Sequence, residues 1–118
     1  MNDLITKVIA WANERNIIQG STAIKQLDKT SEEFNELQRA VATIPYGQEY
    51  YLDLGYGPYA DAVYEDVDDA FGDILVTLII AAAILHRDLP TCLEKAYDTI
   101  KHRKGTMING KFVKESDL

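Results

Sequence analysis

An all-α fold, a four-helix bundle completed by oligomerisation and carrying a small C-terminal β-hairpin, is what this 118-residue chain predicts. Three observations lead there. Apolar residues return at three- and four-residue steps through four segments, which is the period of an amphipathic helix. One run, ILVTLIIAAAIL at 74–85, is apolar on almost every side, so in a small protein a second chain should cover part of it. Near the C-terminus two short apolar pieces flank Asn109-Gly110, the strongest short-range hairpin signal.

The first helix is expected over residues 3–14, with Ile5, Val8, Ile9 and Ala12 inward and Trp11 on the flank. NIIQGS reads as a connection. Ser21 or Thr22 offers an N-cap for a second helix reaching about Thr43, whose inward positions are Ile24, Leu27, Phe34, Leu37, Val41 and Ile44. Thr30 and Ser31 interrupt that stripe, which makes room for a pocket or for the close approach of another helix. Pro45 ends the helix. Residues 45–63 read as an irregular insertion, rich in Tyr and Gly and longer than an ordinary connection. An ordered flap or an interface would suit its amphipathic Tyr rings.

The third helix is expected from about Tyr64 to His86, with Gly72 marking a close helix–helix approach. The fourth begins near Pro90 with Asp88 as cap, turns Leu93, Ala96, Tyr97 and Ile100 inward, and ends in Lys101, His102, Arg103 and Lys104 before a Gly105 C-cap. Cys92 on this helix reads as a small buried apolar residue.

Composition narrows the function. At 118 residues the chain is one domain, residues 1–118. A net charge of −7 speaks against nucleic acid as a partner. A single cysteine gives no disulfide framework and fits a reducing compartment. The N-terminus carries charges in its first turns, unlike a signal peptide, and the 12-residue apolar run falls short of the roughly 20 residues that span a bilayer. No membrane partner and a cytoplasmic location are therefore expected.

Chemistry concentrates in two acidic rows. Glu32, Glu33 and Glu36 lie in TSEEFNELQRA; Asp66, Asp69 and Asp73 lie in EDVDDAFGDILVTLI. Glu33 and Glu36 share one helical face, and the three aspartates follow an i, i+3, i+7 rhythm on another. A Glu-rich face alone is ordinarily solvated. Two such rows facing each other would repel unless a hard divalent cation, Mg²⁺ by preference, lay between them with substrate phosphates. His86 and His102 have Ala83 and Thr99 three residues earlier, so no Glu-x-x-His pair supports a di-iron bundle.

QLDKTSEEFNEL, DAFGDILVTLI and AYDTIKHRKGTMINGKFVKESD together resemble the MazG-like nucleotide pyrophosphohydrolases of the all-α NTP pyrophosphatase superfamily. The look is closest to the short single-domain forms of phages and bacteria. The family motif is EExxE followed by ExxD on the next long helix. Glu32, Glu33 and Glu36 match its first half, and Asp73 matches the last acid of its second. Position 70 departs from it with Ala70, while Asp69 stands one residue earlier, still on the face of Asp73. The gap between the motifs is also longer than usual.

The resemblance implies Mg²⁺-dependent (Mn²⁺ as a substitute) hydrolysis of a nucleoside triphosphate to monophosphate and pyrophosphate by a homo-oligomer. Glu33, Glu36, Asp69 and Asp73 are then the expected metal ligands, and Glu32 the base that orients water. Lys29, Lys101, Arg103 and Lys104 are candidates for the phosphates. Trp11 and Gln26 are candidates for the nucleoside, although a lone Trp is also an ordinary core residue. Two other classes compete: a catalytically silent nucleotide-binding module and a helical adaptor.

Overall fold

The computed structural model describes residues 2–57 and 60–118, so Pro58 and Tyr59 of the Tyr/Gly-rich stretch lie outside the described residues. Among the described residues the chain forms α1 (Asn2–Glu14), α2 (Ile17–Gly20), α3 (Ala23–Ala42), α4 (Ile44–Asp53), α5 (Asp61–Ile84) and α6 (Leu89–Ile100). Strands β1 (Gly105–Ile108) and β2 (Lys111–Lys114) follow, with a 3-10 turn at Glu115–Asp117. The chain is thus mostly helical with a C-terminal hairpin. It divides into two compact units, one running to His86 and the other from Arg87 to Leu118.

Helix α5 organises the first unit, since α1, α2, α3 and α4 all touch it. Its buried residues explain why. Val67, Ala70 and Thr77 keep helical spacing on one face, whereas Ile79, Ile80, Ala81 and Ala82 are buried consecutively. Around 79–82 the helix is therefore enclosed on all sides, whereas its mixed N-terminal half is buried on one. From α1, Ile5 and Ala12 complete the core. The chain leaves α1 through Asn16, whose φ of 59° is one that Asn tolerates better than most residues.

Helix α3 begins where its sequence says. The Thr22 side chain accepts from the Lys25 N–H at 3.2 Å, closing one of the unpaired donors of the first turn. Its packing face differs from the expected one. Ile24, Leu27, Phe34 and Val41 are exposed, while Glu33 is buried and Ala23, Gln26, Thr30, Leu37 and Ala40 are half-buried. Small and polar residues let the backbones of α3 and α5 come close. At that approach Thr30 Oγ1 and Thr77 Oγ1 are 2.8 Å apart. Each hydroxyl also lies within reach of its own helix, Thr30 to the Gln26 carbonyl at 3.0 Å and Thr77 to that of Ile74 at 2.8 Å. Two hydroxyl protons thus serve three contacts.

The irregular reading of 45–63 is corrected over its first half. Helix α3 does end at Ala42, just before Pro45, but Pro45 then sits in the first turn of α4, where its missing N–H costs no hydrogen bond and its fixed φ suits a helix. Gln48 Nε2 then donates to Tyr64 Oη at 3.1 Å, joining α4 to α5. Tyr51 meets the rings of Tyr50 and Tyr56 edge-on, at centroid distances of 5.2 and 5.7 Å. The close approach expected at Gly72 is absent, because a Cβ there would meet open space. It occurs instead at Gly47, where a Cβ would stand 3.4 Å from Val63.

In the second unit Asp88 caps α6, accepting from the Thr91 N–H at 3.2 Å and the Thr91 hydroxyl at 2.6 Å. Leu93, Ala96, Tyr97, Ile100 and Cys92 are exposed rather than inward. Gly105 is no C-cap; it opens β1. Strand pairing is antiparallel, Gly105 with Lys114 through Ile108 with Lys111. Asn109 and Gly110 turn the chain with φ of 51° and 79°, the pair of positive values a type I′ turn requires.

The hydroxyl pair gives a direct test of the α3–α5 contact. Thr77→Val keeps the volume and removes the cross-helix bond, so urea unfolding should show a loss of about 1 kcal/mol with unchanged far-UV helicity.

Candidate metal centre

The antiparallel pairing of α3 and α5 sets the level of every acid. Moving from the Thr30–Thr77 contact, a rise of about 1.5 Å per residue puts Glu33 roughly 4.5 Å along α3 and Asp73 about 6 Å along α5. Glu36 lies roughly 9 Å along and Asp69 about 12 Å. The two rows are therefore side by side, and a cavity of about 450 Å³ lies between them. Its lining includes Glu36 and Arg39 from α3 with Asp66, Asp69 and Asp73 from α5. Ala70, buried, also lines it.

Glu33 is the unusual member of its row, and it is not among the residues that line the cavity. It is 7% exposed, and its Oε2 is buried with no hydrogen-bond partner. A buried carboxylate oxygen left without a donor costs free energy that water would otherwise supply. Its other oxygen, Oε1, lies 3.4 Å from Lys29 Nζ. The same ammonium lies 3.2 Å from Glu32 Oε2. These carboxylates, Glu32 first and then Glu33, hold the Lys29 ammonium above its ordinary pKa. The ammonium side of the pairing is thus present at neutral pH and is lost as pH rises past that raised value. Lys29 is bound to the acidic row rather than free for a phosphate, and Glu32 is exposed outside the cavity wall.

The remaining candidates separate. Trp11 is not a core residue: it is 44% exposed, with the Arg15 guanidinium 4.7 Å from its ring centroid. It lines a second cavity, about 390 Å³, with Leu4, Lys7, Val8, Val76 and Asp73. Asp73 is thus shared by the acidic and the apolar cavity. Gln26 is half-buried and donates to Ser21 Oγ at 3.1 Å. Lys101, Arg103 and Lys104 belong to the second unit. There Lys101 Nζ is 3.0 Å from Asp98 and 5.9 Å from the Tyr97 ring.

Sequence reasoning overlooked Arg39. It lies three residues after Glu36, so the spacing that put Glu33 and Glu36 on one face could also have found it. Asp66 likewise belongs to the cavity and not merely to the rhythm of its helix.

Among the described residues no three His, Cys, Asp or Glu side chains gather closely enough to hold a metal ion between them. The donor set nevertheless fits Mg²⁺, which takes oxygen ligands, retains waters and commonly binds through one or two carboxylates plus substrate phosphates. Glu33 Oε2 has no hydrogen-bond donor among the described residues. Meanwhile Asp66, Asp69 and Asp73 repel one another along a single helix face. Asp69→Asn should therefore raise stability by about 0.5 kcal/mol in chelator at low salt, as read by thermal or urea unfolding, and salt should erase the gain.

Set against known protein families, curated proteins and solved structures, the chain matches none of them.

Proposed function

We propose that the protein is a Mg²⁺-dependent nucleoside triphosphate pyrophosphohydrolase of MazG-like type, forming a nucleoside monophosphate and pyrophosphate. The observation that supports it most is the carboxylate-lined cavity in which Glu36 of α3 meets Asp66, Asp69 and Asp73 of α5, one turn along α3 from the buried, orphaned Oε2 of Glu33. Glu33, Glu36, Asp69 and Asp73 would hold the ion, and Mn²⁺ would substitute. When bound, the ion supplies polarisation of phosphoryl oxygens and a lower pKa for a coordinated water.

The chain's own residues do the rest. Glu32 stands outside the cavity wall, paired with Lys29, so its role as base requires that a triphosphate draw the Lys29 ammonium away and the freed carboxylate turn inward. Water attacks the α-phosphorus, its proton passes to the Glu32 carboxylate, and the bond to the pyrophosphate oxygen breaks. Arg39 presents a planar fork of donors to phosphate within the same cavity. The nucleobase lies against Trp11, in the apolar cavity that shares Asp73. Gln26 contributes an amide on the inward face of α3. No helix among the described residues is long and apolar enough to cross a membrane, and the cytoplasm supplies both Mg²⁺ and nucleotides.

A second copy of the chain completes the bundle. At about 100° per residue, Phe34, Leu27 and Val41 fall on the flank of α3 opposite Glu36. Phe71 and Leu75 fall on the flank of α5 opposite Asp69 and Asp73. Because the helices are antiparallel, both apolar stripes lie on the same side of the pair. Phe34 is 51% exposed and Phe71 54%, on neighbouring helices, so the face is continuous and wet in one chain.

Two measurements test these readings. Pyrophosphate release from a panel of ribo- and deoxyribonucleoside triphosphates should require Mg²⁺ and stop in chelator. Glu36→Gln should reduce it by about 100-fold or more, near 2.7 kcal/mol of activation free energy, with helicity intact; undiminished turnover would refute the site. Nucleotide binding without turnover in the wild type would instead favour a nucleotide-sensing module. Separately, light scattering should show an oligomer that Phe71→Asp dissociates without loss of helix. A monomeric wild type would refute the second copy.

A further inference from the structure

The second unit contains a basic cavity built entirely from its own residues. Its volume is about 500 Å³, and its walls are His102, Arg103, Lys104, Lys114, Glu115 and Ser116. The hairpin brings them together. Gly105 is the strand partner of Lys114, so Lys104 and Glu115 stand at the next rung, where the Glu115 N–H donates to the Lys104 carbonyl at 2.8 Å. Gly105 is needed for this closure, because a Cβ there would run into the Val113 carbonyl and the Phe112 ring.

The charges are out of keeping with the rest of the molecule. The chain carries −7 overall and only 12 Lys and Arg residues. Three of the 12 line this one cavity. The ion pairs among the described residues engage Arg15, Lys29 and Lys101, and none engages Arg103, Lys104 or Lys114. Against these three cations the walls set one carboxylate, Glu115. The hairpin thus holds three cations around a single carboxylate.

We propose that this cavity binds a small phosphate-bearing anion with the size and charge of a diphosphate group, without a metal ion. Arg103 supplies a bidentate fork, Lys104 and Lys114 supply point charges, and the Ser116 hydroxyl supplies a further donor. Three cations come close to neutralising a diphosphate. A nucleic acid is disfavoured by Glu115 at the wall and by the negative charge of the whole chain. The site rests on the pyrophosphohydrolase reading only in that pyrophosphate, the product of that reaction, becomes a natural ligand.

The test is a titration of the full chain in chelator at low salt, followed by backbone amide NMR. The probes are inorganic pyrophosphate, orthophosphate, a nucleoside triphosphate and a short single-stranded oligonucleotide. Pyrophosphate should saturate, shift the amides of 102–104 and 114–116, and bind more tightly than orthophosphate. Lys114→Gln and, separately, Arg103→Gln should each weaken it roughly tenfold, whereas Lys114→Arg should retain it; preserved hairpin amides show that each variant folds. A nucleoside triphosphate shifting the same amides would support the same site with the diphosphate carried on a nucleoside. Absence of saturation, indifference to both Gln substitutions, or tighter binding of the oligonucleotide would overturn the proposal. Because chelator is present throughout, failure here beside Mg²⁺-dependent turnover would remove this site alone, while binding here without turnover would remove the helix site alone.

Discussion

The antiparallel contact between α3 and α5 decides where every other feature of the first unit falls. It is made through the polar and small residues of α3, with Thr30 hydrogen-bonded to Thr77 and Glu33 buried. A hydroxyl pair of this kind contributes only about 1 kcal/mol net, so its value lies in fixing register and spacing. Once that register is set, Glu36 and Arg39 must lie beside Asp66, Asp69 and Asp73 on one flank. The phenylalanines must lie on the other. A carboxylate cavity and an apolar face are thus two consequences of one helix pairing, and substitution at the contact would disturb both.

Burial of Glu33 is the cost within that arrangement. One oxygen is neutralised by Lys29 and the other is left without a donor. Lys29 is itself more than half exposed, and such an ion pair contributes little in water. The position is therefore poorly explained by stability within one chain. The proposed cation would supply a partner for that oxygen and would relieve the crowding of aspartates along the facing helix.

Much of the architecture was legible in the sequence. The four long helices follow from three- and four-residue spacing, two of them from caps that the structure contains, Thr22 and Asp88. Asn109-Gly110 gave the hairpin and its turn. Facing was harder to read than helicity. The sequence reading turns the apolar stripe of α3 inward, but within a single chain the inward face is the one that lets α5 approach, and the stripe stays exposed. The same assumption misplaced the apolar residues of α6. Helix α4 was missed because Pro and Gly were taken as breakers, although Pro45 stands in a first turn, where it favours a helix. At the site, one-face spacing grouped Asp66, Asp69 and Asp73, which line one cavity together with Glu36, and the same rule applied from Glu36 would have added Arg39. No local pattern could reveal that Glu33 has an unpartnered oxygen, since that depends on α5.

The central claim, a divalent cation held between α3 and α5, is tested most directly by adding Mn²⁺ at substoichiometric ratio and following paramagnetic broadening of backbone amides. If these carboxylates hold the ion, amides of residues 33–36 and 69–73 should broaden first, and excess Mg²⁺ should restore them. Broadening spread evenly over unrelated acids such as Glu14, Asp53 and Asp117, with no preference for the two helices, would contradict it.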